Sequence, residues 1–410
     1  MKRTFLVIFA AFIILGSCKK DDPTASTEFT VTVYKPLPVG KANSMQLFAH
    51  YMPWFEDKST SGNGKWGWHW TMNNRNPDIV DGNGKRQIAS HYYPKIGPYA
   101  SSDPDLIEYH LLLMKYSGID GVLIDWYGST DVLDYGTNRR NTEALVAMLD
   151  KVGLKFAIVY EDATIPQVMA KTGSTEAVSL ARDDMRYIQT KYFSKSSYIK
   201  IDGKPLLLVF GPNYFQKSSE WETIIAAFTT KPCFMPLWAH SSTTGTSSSG
   251  EFIWVDQVNI DNKYATAGNF SNFIGGAWPG FHDFYKEGGA GNNLFIIDHN
   301  NGVTWQNLLS NATANNMKYL QLITWNDFGE GTIIEPTDEF GYSYLEKLQS
   351  FAGLGYHKSD LESISQQYAL RKSRGSDKSS AKVLEQAFYY WVSLQNTKAI
   401  QIIDSLATSR

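Results

Sequence analysis

Ile323-Thr324-Trp325-Asn326-Asp327-Phe328-Gly329-Glu330-Gly331-Thr332 is the stretch from which the rest of the chain is read. It continues the apolar-leaning run 317–322, which predicts a late strand. Two carboxylates, Asp327 and Glu330, follow three residues apart, beside an amide, an indole and two glycines. On a continuing strand, positions i and i+3 point to opposite faces. The chain must therefore turn after Asp327 for both carboxylates to meet one substrate. Gly329 and Gly331 favour such a turn because glycine tolerates positive φ. A carboxylate pair at a strand end, next to aromatics, is the chemistry of glycosidic cleavage, one group acting as acid and the other as base or nucleophile. The plainer alternative is a turn-capping Asp followed by a solvated Glu.

Working outward, strands alternate with helices. Residues 45–51, 119–128, 154–160, 205–210 and 234–239 read as strands, with 256–260, 272–280 and 294–297 as weaker candidates. Helices are predicted over 106–116, 143–152, 177–192, 221–228 and 304–315. Asp103-Pro104 opens the first of them as a cap followed by proline in the first turn. This alternation argues for a parallel sheet. Polar and aromatic residues gather at strand C-termini (Tyr51 to Trp54, Asp125 to Tyr127, Glu161-Asp162). The fold class expected is therefore α/β, a (β/α)8 TIM barrel, with a doubly wound open sheet as the alternative. Residues 357–370 and 381–406 predict two further helices, a C-terminal helical appendage joined by the polar link 373–380.

The 410 residues suffice for one large barrel plus an appendage. Hydrophobic residues are 43% and charged residues 19%, which excludes a disordered chain. A net charge of −3 gives no electrostatic case for nucleic acid. Aromatics reach 14%, which suits either a core or the apolar faces of sugar rings. The eight histidines show no ligand-type spacing, so no metal and no cofactor is expected. Neither a G-x-S-x-G turn nor a G-x-x-x-x-G-K-[ST] phosphate loop is present.

The N-terminus carries a separate signal. Lys2-Arg3 precedes an apolar run over 5–15, and Leu15-Gly16-Ser17-Cys18 closes it. This resembles a lipoprotein signal with cleavage before Cys18 and lipidation of its sulfur. Acylation at about 0.8 kcal/mol per buried CH₂ anchors a chain firmly. The domains expected are a signal peptide over 1–17, a lipidated Cys18 and tether over 18–44 with a short strand at 29–34, a catalytic barrel over 45–356 and a helical extension over 357–410. Lys19-Lys20-Asp21-Asp22 resembles the charged segment of surface-displayed Bacteroidetes lipoproteins, and with the lipobox the resemblance implies a lipid-anchored protein of the bacterial outer membrane.

Several stretches together resemble glycoside hydrolase family 99, the endo-α-1,2-mannosidase and mannanase family, and the related family 71 of α-1,3-glucanases. The carriers are Tyr51-x-x-Trp54, His69-Trp70, Tyr92-Tyr93-Pro94 running to Ser101-Ser102-Asp103-Pro104, Gly118-Ile119-Asp120-Gly121 to Asp125-Trp126-Tyr127, and the carboxylate loop with Ile334-Glu335-Pro336. Family 99 implies a (β/α)8 barrel, an α-mannoside substrate and a mechanism without an enzyme nucleophile. One carboxylate takes the proton of the sugar's own 2-OH, and the other protonates the leaving oxygen and later activates water. By motif position Asp327 takes the first role and Glu330 the second. Tyr51, Trp54, Trp126, Glu161 and Asn326 would line the sugar subsites. His69 and Tyr93 in the aromatic loops join them as substrate contacts. Trp278 in its Gly-rich loop either stacks a sugar or closes the loop. Family 99 usually carries Glu where this chain has Asp327, and the Asn-Asp-aromatic-Gly-Glu order looks more like family 71. The expected partner is an oligo- or polysaccharide, with the membrane reached through the lipid anchor. A surface glycan-binding lipoprotein on a weakened or inactive barrel is the second reading, motivated by the shorter Asp327.

Overall fold

The computed structural model describes residues 29–408. The expected signal peptide and Cys18 lie outside that range. Among the described residues no helix is long and apolar enough to cross a membrane.

Eight parallel strands make up the centre: β1 Gln46–Tyr51, β2 Gly121–Trp126, β3 Lys155–Tyr160, β4 Lys204–Val209, β5 Cys233–Pro236, β6 Gly250–Phe252, β7 Asn272–Ala277 and β8 Tyr319–Leu322. They pair in sequence order, β1 with β2, β2 with β3, β3 with β4 and β4 with β5. On the other side β6 pairs with β7, β7 with β8, and β8 returns to β1. Between β5 and β6 pairing thins to one bridge, Leu237 with Phe252, and two backbone bonds, Trp238 N–H to Phe252 O (2.8 Å) and Ser249 N–H to Phe234 O (2.7 Å). The sheet is thus strongly curled and TIM-barrel-like, with one short antiparallel strand, Lys200–Ile201, at its side. β2 is buried along its whole length, as its Gly-Val-Leu-Ile run requires of a strand covered on both faces.

Two strand expectations are corrected here. The strand expected at 256–260 forms instead at Gly250–Phe252. It is only three residues long and sits in a Ser/Gly-rich stretch, so it has no apolar period to read. The candidate at 294–297 is not a central strand. Ile296–Ile297 pairs antiparallel with Phe281–His282 in a hairpin that stands outside the main sheet. A helical turn at Ser241–Thr244 leads from β5 towards β6.

Helices cover the sheet. Pro104–Tyr116 begins as expected, the Asp103 side chain accepting from the N–H of Asp105. After Ser343–Ala352, three helices follow where two were expected: Lys358–Arg374, Lys378–Val392 and Asn396–Thr408. Ser393, Leu394 at φ +60° and Gln395 separate the last two. These helices pack on the outer face of Pro104–Tyr116. The Arg371 guanidinium grips the Glu108 carboxylate through two bonds of 2.8 and 2.7 Å. Tyr116 donates to the Trp391 carbonyl (3.0 Å).

Residues 29–44 run beneath the sheet against this helical layer. No strand forms at 29–34; the Thr32 N–H binds the Gln386 side chain instead (2.6 Å). Leu37 N–H donates to Val392 O (2.9 Å), and the buried Lys115 ammonium donates to both Leu37 O (2.6 Å) and Val152 O (2.9 Å).

Candidate active site

The carboxylate loop turns as its glycines allow. Asp327 N–H donates to Thr324 Oγ1 (2.7 Å), and Gly331 N–H donates to Asp327 O (2.9 Å). Of the two glycines, Gly331 is the one at positive φ (+68°); a Cβ there would lie 2.8 Å from the His282 carbonyl and 2.8 Å from the Tyr92 ring. Gly329 serves space rather than conformation, since its missing side chain faces Asp327 Oδ1 and Met72 at 3.4 Å. The Asp327 Oδ1 accepts from the Glu330 N–H (3.0 Å), and Glu330 Oε1 accepts from the Tyr285 hydroxyl (2.9 Å).

Both carboxylates line a cavity of about 230 Å³ at the C-terminal ends of the strands. Asp125 and Tyr127 reach it from the end of β2, Glu161 from the end of β3, His50 from β1, and Trp54 and His69 from the aromatic loops. Trp254, Phe210 and Tyr285 complete it with Trp68 and Met72. Trp54 and His69 stack face to face, centroids 4.1 Å apart and 6° from parallel. His69 Nε2 lies 3.1 Å from Asp134 Oδ2, which fixes the ring.

Four carboxyl groups therefore share a space that no Lys or Arg side chain lines among the described residues. Burial raises Asp327 to about 7, against bonds from the Glu330 and Gly329 amides that lower it. Burial, then the Asp327 charge, holds Glu330 well above the usual carboxylate range. Asp125 rises likewise through burial and the facing Glu161, and burial also raises Glu161. His50, buried beneath, falls to about 3 and stays neutral. Like charges in a low-dielectric site cannot all ionise, so near neutrality the Asp327–Glu330 and Asp125–Glu161 pairs each retain a proton. One acid beside one base is the arrangement that divides proton donation from proton abstraction.

The other residues read from the sequence take different places. Tyr51 is fully buried, its hydroxyl 3.0 Å from His110 Nδ1. Asn326 accepts from Met52 N–H (2.9 Å) and donates to Met52 O (3.0 Å), clamping the end of β1. Tyr99 bridges Asn326 to Glu335, donating to Glu335 Oε2 at 2.7 Å. This buried chain braces the loop from behind the cavity. Trp126 lies in the core against Tyr187, ring centroids 5.8 Å apart. Trp278 is buried with the Lys263 ammonium 5.8 Å from its ring centroid. Tyr93 packs beside Lys85 and accepts from the Arg86 N–H (3.0 Å). None of these five, Tyr51, Tyr93, Trp126, Trp278 and Asn326, is among the residues lining the cavity. An alternating strand gives the reason for Trp126: its neighbours Asp125 and Tyr127 are the residues that line it.

Sequence reading missed Tyr285 and Trp254. Trp254 follows the unread strand β6, and Tyr285 sits in the loop inside the unread hairpin. Among the described residues no group of three or more His, Cys, Asp or Glu side chains is arranged to hold a metal ion.

Comparison with known proteins finds a family likeness. Residues 43–233 match the model of glycosyl hydrolase family 99. That match covers a little under half of the chain, its N-terminal part. Two solved structures of the family 99 endo-α-mannosidase from Bacteroides thetaiotaomicron superpose on it with TM-scores of 0.58. At 21% identity one covers 75% of this chain and 96% of its own; at 19% the other covers 81% and 99%. A glycoprotein endo-α-1,2-mannosidase-like protein of Danio rerio is 23% identical over 238 residues, and its counterpart in Mus musculus is 23% identical over 278. The chain spans about half the length of these curated relatives, 46% and 58%. The family match ends before the carboxylate loop, so the roles of Asp327 and Glu330 rest on the site's own geometry.

Proposed function

We propose that this chain is an endo-acting glycoside hydrolase of α-linked glycans, α-mannan or a related polymer. The observation that carries the proposal is the Asp327–Glu330 pair, two carboxyl groups on one turn inside a cavity walled by the stacked Trp54 and His69. With Leu237–Phe252 as its closing contact the curled sheet is a (β/α)8 barrel, and the pair stands at the strand C-termini where such barrels carry their chemistry. Glu330, kept protonated by burial and the neighbouring charge, serves as general acid to the leaving oxygen. Asp327 is the base, acting on the 2-OH of the sugar as its motif position implies. As Asp327 takes the 2-OH proton, O2 bonds to C1 while the C1–O bond to the leaving group breaks and that oxygen takes the Glu330 proton; water then bonds to C1, giving a proton to the ionised Glu330, as the C1–O2 bond breaks and O2 regains its proton from Asp327.

The ligand-facing groups suit a polyol. Trp54 Nε1 is a buried polar atom without a protein hydrogen-bond partner, and Trp54 lines the cavity. A buried indole N–H of this kind is costly unless a ligand satisfies it. The lipobox-like Cys18 supports placing the enzyme on the bacterial envelope, anchored by lipid.

Product release from yeast-type α-mannan and from α-1,3-glucan tests the reading. Oligosaccharides from mannan support it; release from glucan alone moves the substrate to the family 71 class. Sugar affinity with no turnover on either polymer would favour the glycan-binding reading instead.

A further inference from the structure

Tyr285 lies outside every motif read from the sequence, yet it makes a side-chain hydrogen bond to the proposed acid. Its hydroxyl donates to Glu330 Oε1 at 2.9 Å. The loop that carries it is fastened on both sides. Towards the carboxylate loop, His282 N–H donates to Glu330 O (2.9 Å) and Phe284 N–H to Gly329 O (2.8 Å). Towards the aromatic loop, Asn73 N–H donates to Gly288 O (2.9 Å) and Asn74 Nδ2 to Glu287 O (2.8 Å). Asp283 ties the loop to itself, accepting from Tyr285 N–H (3.2 Å) and Leu294 N–H (2.8 Å). A phenol so anchored cannot follow Glu330 passively; it holds the carboxyl group where it is.

We propose that Tyr285 is a positioning residue that assigns the two oxygens of Glu330, occupying Oε1 as acceptor and leaving Oε2 to carry the transferred proton. The inference rests on Glu330 being the acid of the proposed hydrolase. In the step itself the O–H bond at Oε2 breaks, the proton passes to the glycosidic oxygen, and the C1–O bond cleaves with its electron pair staying on that oxygen. Glu330 is left ionised. Tyr285 keeps its own proton throughout, since burial and the adjacent carboxylates push its ionisation above the usual phenol range. A hydrogen bond to an ionised acceptor is roughly twice as strong as one between neutral groups. Tyr285 therefore gains interaction as the proton leaves, and an interaction stronger in the transition state than in the ground state accelerates the step.

Tyr285→Phe tests this while keeping the ring and its packing. Removing a donor to the carboxylate form raises the Glu330 pKa, because that bond lowers it. The expected result is a loss in kcat/KM of roughly 10–100-fold, within the range of a positioned proton-transfer contribution, with the alkaline limb of the pH profile moved upward. A glycosyl fluoride, which needs less acid assistance, should lose less. The second readout needs no turnover: the infrared carboxyl stretch of Glu330, assigned by its absence in Glu330→Gln, should shift in frequency and titrate at higher pH in Tyr285→Phe. An unchanged band and titration would overturn the assignment of Tyr285 even in an active enzyme. A shifted band in a protein that cleaves no glycan would sustain the Tyr285–Glu330 link and overturn the hydrolase reading instead.

Discussion

The backbone N–H of Glu330 donates a 3.0 Å hydrogen bond to Oδ1 of Asp327, so one carboxylate of the pair fixes the main chain that carries the other. An acceptor one methylene from the backbone suits this i to i+3 contact, the local bonding at which Asp excels in turns. Asp327 is thus fitted to its own loop. Asp327→Glu is expected to lower kcat/KM by about 10²-fold, since a displacement near 1 Å has that effect. Steady-state kinetics on the mannan oligosaccharide would show it. An unchanged or faster variant would mean that the Asp327–Glu330 contact does not set the geometry.

The pH response follows from the same pair. Asp327 must be ionised to act as base, and burial sets its pKa at about 7. The acidic limb of kcat/KM should therefore lie near neutrality rather than near 4. Stability moves oppositely. Below about 4 Asp327 is protonated in both folded and unfolded chains; above about 7 it is ionised in both and bears the full desolvation cost. Stability from this group therefore falls as pH rises from about 4 to about 7. Asp327→Asn removes the cost, and its advantage over the wild type should grow across that window to about 1–3 kcal/mol, one pKa unit being about 1.4 kcal/mol. Denaturant melts at pH 4, 6 and 8 check the sign.

Trp54 and Trp126 should separate cleanly. Trp126 is fully buried in the core, so Trp126→Ala should cost about 3–5 kcal/mol of stability. Trp54 lines the cavity and stacks on His69. Trp54→Ala should spare much of the stability and raise KM for the glycan by about tenfold or more, an aromatic contact plus its area contributing about 1–3 kcal/mol. Melting curves beside initial rates for both variants make the comparison.

The C-terminal helices are joined to the sheet layer through Glu108. Burial raises the Glu108 pKa even though the Arg371 charge opposes it. Arg371→Ala would leave that carboxylate buried without its partner, a change that costs about 3–5 kcal/mol. Arg371→Ala with Glu108→Gln should recover much of the loss, and a double-mutant cycle measures the coupling.

Much of this architecture could be read from sequence, for reasons particular residues make plain. Gly121 to Trp126 is a six-residue apolar strand buried on both faces, and Asp103-Pro104 is a cap with its proline, so both announced themselves. Gly250–Phe252 did not, because three residues among serines carry no period, and with it went Trp254. The loop holding Tyr285 was hidden by Ile296–Ile297, whose β-branched run reads as a central strand but pairs only in a hairpin. Asp327, Glu330, Trp54, His69 and Glu161 do meet in one cavity. Tyr51 and Asn326 belong to its buried support, a distinction of side-chain direction that strand ends and turns do not fix in advance.

The most direct measurement is oligosaccharide release from α-mannan by the wild type beside Glu330→Gln, followed by chromatography of the products. Wild-type release with a loss of about 10²–10⁴-fold in the variant, the size of a positioned general acid's contribution, is the result predicted here. Equal release by Glu330→Gln would contradict the assignment of Glu330 as the acid and with it the mechanism built on the Asp327–Glu330 turn.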